Sequence, residues 1–434
     1  MNPSAALPDV AAAVCAVCIL LVPLTAAGLA LINTGLGRSR NAAHAMMSSL
    51  CVLAVAAAVY FICGFSWQGF PGRAAYAIQA GGKMWNWIGA DPFFLRGIDF
   101  SGSSASLAAL LGMFSAGLVV LIPLGSGAER WRLGSSCTSA AILAGFTYPL
   151  FAHWVWGGGW LAELGANFGL GRGFTDVGGA GSIHAVGGLT ALAIAWILRP
   201  RRGKFAPEGM PTAIPGHNAV FVMFGCLLAL IGWLGLNTAG AILYAGAGAG
   251  GVPLVAINTL LSAGSGTLAS ALITRTRFGK PDASLSANGW VAGLVASSAV
   301  CAFVIPAAAV LVGLVAGALV PLSIEWLEIH LHIDDPGGAI SVHGVAGIWG
   351  LLALGLFDHL PGSSGSNQWL AQLVGVATLL GFVFPFAYGV NLLINRISPQ
   401  RVAQDGERQG MDLHELGANA YPELVTHQEE FTPR

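Results

Sequence analysis

The sequence predicts an all-α polytopic membrane protein of eleven transmembrane helices, an inverted repeat of five plus five with one helix added. Three observations carry this reading. The chain is too apolar for water, its basic residues gather on one side of the apolar segments, and one short motif recurs five segments apart. Of the 434 residues, 55% are hydrophobic and 9% charged, against about a quarter charged in soluble proteins. With a mean hydropathy of +0.72, this composition excludes an ordinary soluble enzyme and a disordered chain. A net charge of -1 with no long basic stretch excludes nucleic acid as a partner, because tracking phosphates takes clustered Lys and Arg. The lipid bilayer is the partner instead. The 61 glycines suit helices that approach closely in lipid, where packing drives association.

A hydrocarbon core of about 30 Å takes about 20 apolar residues per helix. Eleven segments meet that length, at roughly 9–35, 41–65, 104–126, 135–156, 179–198, 217–239, 252–274, 284–304, 306–331, 338–358 and 368–395. The first lacks a basic leader and is too long for a signal-peptide core, so it reads as a retained span. Basic residues orient the set. With the N-terminus outside and the C-terminus cytosolic, fifteen of the 19 Lys and Arg residues fall inside. Only Arg73, Lys83, Arg96 and Arg172 remain outside. An odd number of spans puts the termini on opposite sides, so the two readings agree. The expected organisation is a transmembrane domain over 1–395, with repeat halves of about 1–200 and 215–360, and a polar cytosolic tail over 396–434. Two outer segments are long enough for structure of their own. Residues 66–103 contain Trp67, Trp85 and Trp87, as expected of a segment at the membrane interface, and 157–178 is rich in glycine.

The fifth segment reads SIHAVGGL from Ser182, and the tenth reads SVHGVAGI from Ser341. Six of the eight positions are identical or exchange one branched apolar residue for another. Five spans of separation make the copies cross the membrane in opposite directions, the mark of an inverted-topology repeat. Such folds place the solute path near the midplane between halves, where His184 and His343 meet. An ionisable side chain within a span is costly and is functional by default; a single such histidine can instead be a structural hydrogen-bonder, a reading that the pairing weakens. Two neutral rings sharing a proton form a narrow polar rail, able to accept from a small N–H solute or to relay a proton. Haem held by both histidines needs a wide slot and lacks a CxxCH. Zinc needs further ligands, for which His153 and Asp176 are the candidates, both on the outer side.

The remaining polar groups sort by depth. Asp176 stands eight residues before His184, where it can cap the fifth helix and favour its dipole or draw in a cation. Trp156 precedes three glycines and offers a face for a cation, or belongs with Trp154 and Trp160 to an interfacial belt. Phe114, in the third segment, is a gate or simply core. The seven cysteines are scattered; Cys15 and Cys18 form a CxxC inside an apolar helix and read as small packing residues.

These residues resemble the ammonium transporter family (Amt/Mep/Rh) over nearly the whole chain. The similar runs, in family order, are GAER from Gly127, AHWVWGGGWLA from Ala152, the Asp176-to-His184 spacing, GWLGLN from Gly232, DDPGGAISVHG from Asp334 with SVHGVAGIWG from Ser341, and GMDLHELGANAYP from Gly410. The resemblance implies a homotrimer of eleven-helix subunits in the cell membrane, each with its own pore for ammonium or ammonia, with no enzymatic activity and no cofactor or metal. Carried over by position, Trp156 is the recruitment aromatic, Asp176 the acid supporting that site, Phe114 and Leu236 the gate positions, and His184 and His343 the twin histidines of the pore. GAER and the tail match cytosolic elements that couple neighbouring subunits. A trimeric PII-type nitrogen-regulatory protein is the implied cytosolic partner.

The chain departs from the family at several points. Leu236 stands where a Phe is usual, and Gly240 where the recruitment site has a hydroxyl. Phe114 takes the gate position only with a one-residue insertion before GAER; without it, Ser115 does. Leu110 stands for a second Phe. The segment between WGGG and Asp176 is about eight residues longer than usual. The expected function is therefore ammonium transport by deprotonation at an outer site and passage along the twin histidines. An Rh-like electroneutral channel for ammonia or carbon dioxide, and an ammonium sensor without transport, are the alternatives. For the channel, restoring Ser at Gly240 is expected to raise ammonium affinity.

Overall fold

The computed structural model describes residues 7–357 and 367–422, and helices dominate it. Among the described residues eleven long helical runs follow in order: α1 (Asp9–Leu36), α2 (Ser39–Gln68), α3 (Ser104–Gly127), α4 (133–156), α5 (Ala180–Leu198), α6 (Ala219–Tyr244), α7 (Ala249–Phe278), α8 (Ala283–Val300), α9 (Pro306–Leu331), α10 (Ile340–Phe357) and α11 (Gln368–Ile397). Among the described residues, nine of these are long and apolar enough to cross a bilayer. The other two, α4 and α8, cover the fourth and eighth segments expected from the sequence. Residues 423–434 of the expected tail lie outside the described residues.

Local chemistry starts and stops the helices. The Ser103 hydroxyl accepts from Ser106 N–H at the start of α3, Asn218 Oδ1 from Phe221 N–H at α6, and Asp282 Oδ1 from Leu285 N–H at α8. Each satisfies a donor that a helix N-terminus leaves free. Pro306 occupies the first position of α9, and Gly279 closes α7 with a φ of +78°, the two ends where those residues cost least.

The all-helical expectation has one exception. Within 66–103 the chain forms an antiparallel hairpin of β1 (Ala75–Ala80) and β2 (Lys83–Gly89), turning at Gly81 and Gly82, both at positive φ. The hairpin clamps the end of α4. Asn86 O accepts from Trp160 N–H, Trp87 O from Trp154 Nε1, and the Asn86 amide donates to Gly158 O. Trp85, Trp87, Trp154 and Trp160 form one aromatic cluster there.

The halves pack alike. α3 lies against α5 in the first, and α8 against α10 in the second. α5 and α10 then cross at the centre with their backbones in contact: a Cβ on Gly188 would stand 2.2 Å from Gly344 N, and one on Gly347 2.5 Å from Ala180 O. Outward-facing Val17, Leu20, Leu227, Leu260, Leu268 and Leu272 are exposed, as expected of side chains that meet lipid.

Candidate functional site: a buried histidine pair and its approaches

Both histidines lie in π turns that open their helices, His184 in Ala180–Ala185 and His343 in Ile340–Val345. Such turns are rare and recur at functional sites. A carboxylate holds each one. Asp176 accepts from the N–H groups of Gly179 (3.1 Å), Gly181 (3.0 Å) and Ser182 (2.8 Å), and from the Ser182 hydroxyl (3.0 Å). Asp335 accepts from Ala339 N–H (3.1 Å), Ile340 N–H (2.7 Å) and the Ser126 hydroxyl (2.6 Å).

The glycine crossing brings the two rings together, Nδ1 to Nδ1, at 3.2 Å. Their centroids lie 5.2 Å apart and their planes differ by 24°. One Nδ1 donates and the other accepts, so the pair shares one proton. At that separation there is no slot for a porphyrin between the rings. His184 also stacks on Trp233 at 4.7 Å, and Trp233 is anchored by its Nε1 on the Ser298 hydroxyl at 2.8 Å. His184 Nε2 is buried and unpartnered. His343 borders a narrow cavity of about 10 Å³ with Asn33, Leu121 and Gly337.

On the α4 side of the pair, Trp156 is buried and its Nε1 donates to the Asp176 carbonyl oxygen at 2.6 Å. Its ring is stacked face to face with Tyr244, centroids 4.7 Å apart and planes within 4°. The hydroxyls of Ser115 and Tyr148 are buried beside each other. Tyr60 adjoins Tyr148 at 6.3 Å and donates to Gln68 Oε1 at 2.8 Å. Buried polar groups are nearly always paired. The Tyr244 hydroxyl and His184 Nε2 are buried without a partner.

A model of the Ammonium Transporter Family matches residues 13–421. The chain belongs to that family. It is 34% identical to ammonium transporter Amt2 of Archaeoglobus fulgidus, over 95% of this chain and 88% of the relative. It is 31% identical to an ammonium transporter of Bacillus subtilis, over 94% and 97%. Among solved structures it is similar to a protein named Sensor Amt Protein, with a TM-score of 0.84 and 28% identity over 94% of this chain and 98% of that one. The Mep2 protein of Candida albicans, at 24% identity, shares the fold with a TM-score of 0.79 over 98% and 94%. The chain is accordingly a multi-pass protein of the cell membrane.

Phe114 lines an apolar groove with Val22, Leu53, Met113 and Gly117 between α1, α2 and α3, while the adjacent Ser115 is fully buried, as one residue of helix turns a side chain by about 100°. Leu236 is buried in α6. At Gly240 a Cβ would meet Val177 O at 2.1 Å, so the missing hydroxyl reflects a backbone contact and not an empty space. His153, weighed as a metal ligand, uses Nδ1 on Gln68 O and Nε2 on Asn86 Oδ1. Asp335, Trp233, Tyr148 and Tyr244 were not singled out from sequence. For Asp335 a signal existed: D-x-G-G-A-x-S-x-H recurs at Asp176 and Asp335, carrying the repeat six residues further toward the N-terminus.

At the arginine-rich end, GAER and the tail bind each other within one chain. Arg201 bridges Asp334 (2.8 Å) and Glu129 (2.8 Å), and Arg38 also pairs with Glu129. Val402 N–H donates to Arg130 O, and Trp131 Nε1 donates to Gln400 Oε1. Arg401 pairs with Glu407 at 2.7 Å, and Glu415 accepts from Leu133 N–H and meets His44 Nε2 at 2.9 Å. Burial opposes ionisation of Asp334, Glu407 and Glu415, but their partners outweigh it. Arg130 and Arg201 bring Asp334 down to about 2. Arg401 and the Arg202 N–H lower Glu407, and His44 and the Leu133 N–H lower Glu415.

Proposed function

We propose that this protein carries ammonium across the cell membrane as a non-enzymatic transporter. The observation that carries the reading is the Nδ1–Nδ1 contact of 3.2 Å between His184 and His343, buried where the two repeat halves cross. A bare cation there is prohibitively costly. Ammonium therefore gives up one proton on the Trp156 side to the His184–His343 pair, whose shared proton relays it inward, while ammonia passes the two rings by hydrogen bonds and takes a proton up again at the arginine-rich face. Potassium has no proton to give and is excluded. Trp156 recruits the cation. Both Asp176 oxygens are occupied by backbone N–H groups, so Asp176 supports that site by holding the α5 turn.

The same reading takes all eleven runs as spans, with the N-terminus outside and the tail cytosolic, and residues 1–395 and 396–434 as the transmembrane and tail units. It takes the working form as a homotrimer without a cofactor, and the docked tail with GAER as the face offered to a PII-type regulator. Relatives 34% and 31% identical are named ammonium transporters, which supports transport over a sensor. The test is the current from purified protein in liposomes on a solid support after an ammonium jump, with a potassium jump as control. A transient for ammonium alone is expected. Internal pH change without current makes the solute neutral ammonia, and ligand binding with neither makes the protein a receptor.

A further inference from the structure

We propose that Tyr244 is both the lid and a hydroxyl ligand of the outer solute site, replacing the aromatic absent at Leu236 and the hydroxyl absent at Gly240. The inference deepens the transport reading and rests on it.

Positions 236, 240 and 244 are spaced four apart on α6, so they form one stripe along the helix. The first carries no aromatic, and the second admits no side chain because of the Val177 carbonyl. The third carries a residue with both features. Its ring covers the face of Trp156 at 4.7 Å with the planes within 4°. The stacked faces leave no room for a cation between them, so a solute reaches the Trp156 face only when the rings part. Trp156 is pinned by its Nε1 bond to Asp176 O. Tyr244 is the last residue of α6 and partly exposed, so it is the member free to move, since helix ends open most readily.

The ring does not lie there merely as packing, because its hydroxyl is buried without a partner. Leaving such an oxygen unpaired costs about 1–3 kcal/mol. An ammonium ion stripped of water needs acceptors for its N–H groups, and Tyr244 supplies one at the point of entry. A phenol can serve as a ligand in the closed state and, carried on the ring, swing aside to admit the next ion.

Three variants and two measurements test this. In Tyr244→Phe the stack is kept and the acceptor lost; in Tyr244→Ala both are lost; His343→Ala reports on the pore alone. Ammonium chloride binding to detergent-purified protein is measured by calorimetry, and ammonium-jump currents in proteoliposomes are compared with an ammonium-free proton leak. Tyr244→Phe is expected to weaken ammonium binding about tenfold, the factor for one charge-assisted hydrogen bond, without proton leak. Tyr244→Ala is expected to weaken binding further and to leak protons. Unchanged binding in Tyr244→Phe together with no leak in Tyr244→Ala overturns the inference while wild-type currents keep the transport reading. Binding without flux in the wild type overturns transport, and the Tyr244→Phe shift in affinity still decides the ligand role. A wild-type protein that binds no ammonium overturns both.

Discussion

Asp176 and Asp335 do the same work at symmetric places: each stands eight residues before a histidine of the buried pair and binds backbone N–H groups at the start of its π turn. The two carboxylates thus set the orientation of the rings that meet at the centre. An acid at a helix start also complements the helix dipole. Replacing Asp176 with Ala leaves the N–H groups of Gly179, Gly181 and Ser182 buried and unpaired, at about 1–3 kcal/mol each. The expected outcome is a clear fall in melting temperature of the solubilised protein for Asp176→Ala and a smaller one for Asp176→Asn, which keeps an acceptor. Equal melting of Asp176→Ala and wild type would show that the cap carries no stability.

His184→Ala and His343→Ala are expected to lower ammonium flux at least about tenfold or to admit potassium, because either change removes the shared-proton contact and loses a hydrogen bond of about 1.4 kcal/mol or more. Proteoliposome currents with ammonium and potassium jumps check this. Unchanged flux and unchanged potassium exclusion in both variants remove the histidines from the mechanism.

Gly240→Ser is expected to destabilise the protein and not to raise ammonium affinity. The new Cβ meets Val177 O at 2.1 Å, and Val177 directly follows the Asp176 that holds the π turn. Overpacking of this kind costs about 1–3 kcal/mol. A thermal melt beside a binding isotherm separates the effects: tighter binding at unchanged melting temperature refutes the steric argument.

Arg201→Ala is expected to cost about 3–5 kcal/mol, the range for leaving buried charges without their partner, because Asp334 and Glu129 both lose it. Melting of the solubilised variant against wild type measures it, and a loss below about 1 kcal/mol, the value of an exposed pair, contradicts the assignment.

The same network fixes a pH dependence. The Asp334 carboxyl is held at about 2, below its ordinary 3.8. Its contribution is therefore complete above that ordinary value and is lost as pH falls through about 2. Glu407 and Glu415 are lowered as well, so tail docking weakens in the same direction, as pH falls below the usual glutamate range. Limited proteolysis of the tail is expected to accelerate in acid, and Glu407→Gln to show that acceleration already at neutral pH.

The long helices, the repeated motif and the histidine pair were legible because each leaves a local mark: apolar length, and an octapeptide that recurs with its histidine. The hairpin at 75–89 was not, since its strands lie in a segment whose aromatic content suits an interfacial loop equally well. The gate position is open in the sequence for a physical reason. Phe114 and Ser115 are adjacent, and which of them faces inward depends on helix register, which a single step reverses. Tyr244 escaped notice because its meaning lies in the partner it covers, Trp156, some ninety residues away in sequence.

The sequence by itself determined the solvent of the fold, its helical class, the repeated motif and the two histidines, because hydrophobic length and repeated motifs are properties of neighbouring residues. The tertiary structure alone decided that the rings touch through Nδ1, that Gly188 and Gly344 let them do so, that Gly240 is closed by a carbonyl, and that Tyr244 lies on Trp156. Those are distances between segments far apart in the chain, set by how closely two backbones can approach, and no local pattern encodes them.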